Sequence, residues 1–196
     1  MPYTLLKKSS FLLFFSLAVF CQKKKKLIAT QQDISNRASL EYVIDTWEKL
    51  RDIPVADPNV RAILNANITI PKGTNWKPIE NFQGILLGNS YTITGLEINL
   101  PNQNDVGLFA SIKNVRIENL IINAGKVIGK ENVSILVGKA ENSSLTNISV
   151  FGELLGNNRI GAVAGYALHS NISHVLAIGT ATASNTVCCA DLGLVR

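Results

Sequence analysis

Apolar residues and glycines of this 196-residue chain return at a nearly fixed interval. Val106, Val133 and Ile160 are separated by 27 and 27; Leu120, Ile148 and Val175 by 28 and 27, as are Ile122, Val150 and Ala177. Gly125, Gly152 and Gly179 recur at 27 and 27, and Gly129 pairs with Gly156 at the same distance. An earlier unit reads shorter, with Ile93, Leu96 and Ile98 preceding Ile117, Leu120 and Ile122 by 24 each. Periods of this size mark solenoids and related repeat arrays. Each unit holds short β-branched runs broken by Gly and Asn, with no room for a long crossover helix. Identical strands of neighbouring units must therefore hydrogen-bond to one another. The expectation is an all-β fold, a right-handed parallel β-helix (β-solenoid) of about 4–5 coils over residues 61–187, each coil advancing ~4.8 Å. Ile, Leu and Val then stack in inward columns, and glycines recur where a bend or a close approach excludes a side chain. Asn119 and Asn147 occupy matching positions and could hydrogen-bond up the stack, a column that His174 breaks in the third unit.

Ahead of the repeat, Leu40, Val43, Ile44, Trp47 and Leu50 fall at helical offsets before Pro54, which predicts one N-terminal amphipathic capping helix over residues 38–53. Residues 1–20 read as a signal peptide: Lys7 and Lys8 precede an apolar run of ten, residues 11–20, too short for the roughly 20 residues a bilayer span needs. Cys21 directly follows Leu17-Ala18-Val19-Phe20, which looks like a lipoprotein box; the expectation is lipidation at Cys21, a membrane tether through that lipid, and a basic and polar linker to residue 37. The linker contains Lys23 to Lys26. Net charge matters because +5 could point to nucleic acid. Six of the 19 basic residues lie before residue 27, so residues 27–196 carry 13 against 14 acidic ones and offer no broad electrostatic case for DNA or RNA.

Chemistry-bearing patterns are sparse. His169 and His174, five apart without nearby cysteine or paired acid, read as turn and coil positions and not as metal ligands. No nucleophile elbow and no phosphate-binding glycine loop is present, so neither metal nor cofactor is expected. Asp105 is the sole aspartate between residues 99 and 184, whereas β-helix enzymes gather several carboxylates on one face. Lys126 aligns with Glu153 at 27, as Lys130 does with Asn157, which reads as a solvated surface ladder. Five Asn-x-Ser/Thr sequences begin at Asn67, Asn132, Asn142, Asn147 and Asn171 and read as turn and ladder residues. Cys188 and Cys189 are adjacent and can staple no loop.

Val106-Gly107-Leu108-Phe109, Ile135-Leu136-Val137-Gly138 and Gly161-Ala162-Val163-Ala164-Gly165 resemble the GLUG repeat of bacterial surface proteins. The lead-in Trp76-Lys77-Pro78-Ile79, Phe82-Gln83-Gly84 and Gly88-Asn89-Ser90-Tyr91-Thr92-Ile93 is similar to that family's opening coil. The resemblance implies an exported β-helix of the kind found in adhesin-like proteins and beside the catalytic parts of immunoglobulin A-cleaving metallopeptidases, with no enzymatic activity of its own. The functional expectation is an exported, lipid-anchored cell-surface scaffold that binds a protein or glycan without catalysis. Alternatives are a carbohydrate-active β-helix enzyme and a truncated fragment of a larger GLUG-repeat protein. After Val187 the pattern degenerates through residues 188–196, leaving a bare last coil and an expectation of end-to-end self-association.

Overall fold

The computed structural model describes residues 41–185. Its elements are β1 (Glu41–Ile44), α1 (Trp47–Arg51), β2 (Arg61–Leu64), β3 (Ile68–Thr69), β4 (Ile85–Leu87), β5 (Thr92–Asn99), β6 (Phe109–Lys113), β7 (Arg116–Ile128), β8 (Glu131–Val133), β9 (Val137–Glu141), β10 (Ser144–Gly156), β11 (Asn158–Ile160), β12 (Ala164–Leu168) and β13 (Asn171–Ala183). Every named strand pair is parallel. The eight-stranded sheet runs β1-β2-β4-β7-β10-β13, with β3 and β5 completing its earlier coils; β8-β11 and β6-β9-β12 form the other two walls. The result is a parallel β-solenoid of about five coils. The signal-peptide, Cys21, linker and residue 188–196 expectations lie outside the described residues.

The core is a set of columns. Val106 faces Val133, which faces Ile160. Leu120, Ile148 and Val175 are consecutive partners, as are Ile122, Val150 and Ala177. Ile117, Leu120, Ile122, Leu145, Ile148 and Val150 have no exposed surface. Each such side chain contributes roughly 1.5–3 kcal/mol by leaving water. Intervals of 28 and 27 both occur because one residue is added between Val133 and Val137 and taken up by a bulge, where Gly152 opposes both Ala124 and Gly125. Gly152 and Gly179 are direct partners, whereas Gly125 sits in the bulge.

Two expectations change. Ile93 does not sit 24 residues before its partner: Ile93 faces Ile122, and Leu86 faces Ile117. The turn between β4 and β5 carries two extra residues, with Asn89 and Ser90 in left-handed conformations (φ 50° and 62°). Ile93, Leu96 and Ile98 straddle left-handed Gly95 as Ile117, Leu120 and Ile122 straddle left-handed Asn119, so the shared spacing of three and five could not tell one corner from the other. The helix over 38–53 is also shortened. Residues 41–44 form β1, parallel to β2, and helix is confined to Trp47–Arg51. Tyr42, Val43 and Ile44 suit a pleated, paired strand better than a lone turn of helix. Thr46 then caps α1 by accepting from the Lys49 backbone N–H at 3.3 Å, and Leu50 and Ile53 join the core.

Three corners of the coil use left-handed residues in register. They are Asp105, Asn132 and Arg159; Asn114, Asn142 and His169; and Asn119, Asn147 and His174, with φ between 48° and 57°. Asn tolerates this conformation better than most side chains. Asn147 Nδ2 donates to Asn119 Oδ1 at 2.7 Å, the expected ladder. Both histidines are thus corner residues. Gly138 and Gly165 pass so close under the first corner column that a Cβ would lie 2.3 Å from the Asp105 and Asn132 carbonyl carbons.

Candidate binding groove

The wall formed by β6, β9 and β12 alternates inward and outward side chains, as a parallel strand dictates. Phe109, Val137 and Ala164 point in and align. Outward, Ser111 aligns with Lys139 and Tyr166, and Lys113 with Glu141 and Leu168. The β6 and β9 part of this wall and the flanking corners, with Asn81 and Gln83 from the earlier coil, line a groove of about 560 Å³. Asp105, Ser111, Lys113, Asn114, Lys139 and Glu141 supply its polar surface.

Lys139 Nζ lies 2.6 Å from Glu141 Oε1, and Lys113 Nζ lies 3.8 Å from Glu141 Oε2. The Lys139 hydrogen bond, followed by its charge, holds the Glu141 carboxyl below the ordinary glutamate range. The same bond raises Lys139, with Asp105 and Tyr166 adding smaller contributions. Asp105 accepts a hydrogen bond from Asn132 Nδ2 on the next coil. The groove therefore holds two ammonium groups against two carboxylates, on a rigid sheet. Glu141, as a carboxylate, accepts hydrogen bonds from the side of the groove that carries both lysines. Among the described residues no three His, Cys, Asp or Glu side chains come together as a metal site, and no helix is long and apolar enough to cross a membrane.

The residues singled out from the repeat fall elsewhere. Val106, Leu108, Phe109, Val133 and Ile160 are interior, and the Phe109 ring packs on Phe82 with centroids 5.2 Å apart. Gly107, Gly138, Gly161 and Gly165 lie where the chain rounds the corner or runs beneath it. These positions shape the wall and do not line the groove. Asp105 is brought beside Lys139 and Glu141, a grouping that position along the chain does not reveal. Its readable signal was Lys113 lying 28 residues before Glu141, one coil, with Lys139 two residues from Glu141 on the same face. The expected Lys126 and Glu153 ladder forms on the long sheet at 3.3 Å.

No family model matches the chain, and no solved structure matches it. Two curated proteins are similar in part. Halomucin of Haloquadratum walsbyi is 32% identical over 98 residues, 45% of this chain and 1% of that protein. A protein of Evansella cellulosilytica named as a Gly-rich membrane protein is 36% identical over 88 residues, 41% of this chain and 10% of its own length. The chain thus matches a small part of each relative. The solenoid and these two likenesses are compatible with a surface scaffold.

Proposed function

We propose that this chain is an exported surface β-solenoid of the GLUG type, tethered through a lipid on Cys21, whose β6-β9-β12 wall is a non-catalytic binding scaffold for a neutral glycan. The observation that carries the reading is the charge-balanced groove, where Lys113, Lys139, Glu141 and Asp105 offer donors and acceptors at fixed spacing. A hydroxyl-rich ligand satisfies both kinds of group without bringing net charge, and the groove loses little entropy because β9, which carries Lys139 and Glu141, is already paired on both sides. Cell-envelope placement draws on the leader and on the printed names of the two relatives.

Binding of neutral and acidic oligosaccharides to the chain, with Lys139→Ala and Glu141→Ala variants, tests the groove. The expected result is binding of neutral sugars that weakens about tenfold, ~1.4 kcal/mol, in each variant. Equal binding by wild type and variants, or binding of acidic sugars alone, would overturn it. Fatty-acid labelling tests the tether, and a Cys21→Ala variant that stays equally labelled would refute it. A carbohydrate-active enzyme is the second reading, favoured by Asp105 and Glu141 sharing one groove. It requires polysaccharide turnover that vanishes in Asp105→Ala.

A further inference from the structure

The exposed large hydrophobic residues among those described are confined to the two end strands of the stack and their coils. Val43 lies on β1; Leu168, Ile172, Leu176 and Ile178 lie on β12 and β13. Position in the column decides this: Ile117 and Leu145 are 0% exposed, whereas their partner Ile172 is 37% exposed. The outward columns are apolar further in as well, Leu176 following Ile121 and Ser149 and Ile178 following Asn123 and Phe151, but Ile121 and Phe151 are half-buried whereas Leu176 and Ile178 are exposed.

The strand itself carries none of the features that keep sheet edges apart. β13 contains 13 residues without Lys, Arg, Asp, Glu or Pro, while β7 carries Arg116, Glu118 and Lys126. Free edges lacking charge, proline and bulges recruit another strand. Among the described residues, the β13 edge away from β10 has no partner strand.

We propose that a second copy of this chain covers the last coil, edge to edge and two-fold, with residues 175–183 of the two copies antiparallel. The His174 corner bends β13, so the straight part is residues 175–183, about 30 Å long at ~3.3 Å per residue. An uncharged edge meets its own copy without like-charge repulsion, which makes an isologous contact and hence a closed dimer. In head-to-tail stacking β1 would fall in register with residues 171–173, through the column Glu41, Arg61, Ile85, Arg116, Ser144 and Asn171, and would not pair residues 175–183. The dimer places Leu176 and Ile178 of both copies in one outward cluster. This assembly is independent of what the groove binds.

Light scattering on the 196-residue chain, from about 1 to 100 µM, tests it together with a Leu176→Lys/Ile178→Lys variant. Both side chains are about half exposed, 47% and 57%, so the variant should stay folded, with a melting curve independent of concentration and matching that of the dilute wild type. The variant retains residues 11–20, so association through that apolar run would persist in it. The expected result is twice the 21.3 kDa chain mass for wild type and a single-chain mass for the variant. Hydrogen exchange should show the amides of residues 175–183 that point away from β10 slowed in wild type and fast in the variant, those bonded to β10 staying slow in both. A monomeric wild type, an open polymer, or a variant that stays dimeric would overturn the proposal.

Discussion

Adding one methyl group at Gly138 should destabilise the solenoid far more than adding it at Gly125, although both glycines recur at the repeat interval. A Cβ on Gly138 would lie 2.3 Å from the Asp105 carbonyl carbon, 2.5 Å from its Cα and 2.6 Å from the Val106 nitrogen. Ordinary contacts of this kind are about 3.5 Å, so the corner must withdraw by roughly 1 Å. It is held by the Asp105 N–H on Glu131 O at 2.9 Å and the Val106 N–H on Asn132 O at 3.1 Å. Overpacking of a rigid site costs about 1–3 kcal/mol, and losing one of these bonds adds about 1 kcal/mol. Gly138→Ala should therefore cost about 2–4 kcal/mol. At Gly125 the nearest atom is Glu97 Cγ at 3.2 Å, on a side chain that can turn away; Gly125→Ala should change stability by less than about 1 kcal/mol. Urea unfolding with an unchanged slope measures both. A Gly138→Ala protein within about 0.5 kcal/mol of wild type, or a larger loss at Gly125, would refute coil-on-coil contact at this corner.

Other outcomes follow from the same columns and groove. Ile148→Ala removes a fully buried side chain held between Leu120 and Val175 and should cost about 2–5 kcal/mol in the same assay. Asn147→Ala loses the ladder bond and leaves alanine in a left-handed corner at φ 56°, for about 2 kcal/mol, while Asn147→Gly should lose only about 1 kcal/mol. Carboxyl NMR titration should find Glu141 below the ordinary range and most of the way back to it in Lys139→Met, Lys113 retaining a smaller lowering. Since folding lowers this carboxyl, its contribution is present above the unfolded value of ~4.3 and fades as pH falls through the folded one. Lys139 is raised, so its contribution is complete below the unfolded lysine value of ~10.4 and fades as pH rises through the folded one.

Later coils were legible because their spacing is nearly uniform: Val106, Val133 and Ile160 carry their register on the page. The opening coils were not, because Ile93, Leu96 and Ile98 repeat around left-handed Gly95 the spacing that Ile117, Leu120 and Ile122 have around left-handed Asn119, whereas Ile93 in fact faces Ile122. The first segment misled for a related reason. Val43, Ile44, Trp47 and Leu50 fit a helical face, yet pairing with β2 gives Tyr42 to Ile44 backbone partners that an isolated helix turn lacks. The corner columns were half visible, as Asn119 and Asn147, while His169, His174 and Arg159 hid the same conformation behind other side chains. The groove was least legible. Its four charges come from β6, β9 and a corner, and only the transverse register brings Lys113 and Asp105 to Lys139 and Glu141.

The central claim, coils stacked in one register, is tested most directly by a distance across the stack. Arg61, Ile85, Arg116, Ser144 and Asn171 are successive partners, four steps apart from end to end. Spin labels at the exposed positions Arg61 and Asn171, 110 residues apart in sequence, should report a narrow separation near 19 Å between backbones, from ~4.8 Å per step. A broad distribution, or a narrow one centred beyond about 30 Å, would contradict the register and with it the wall on which the groove is built.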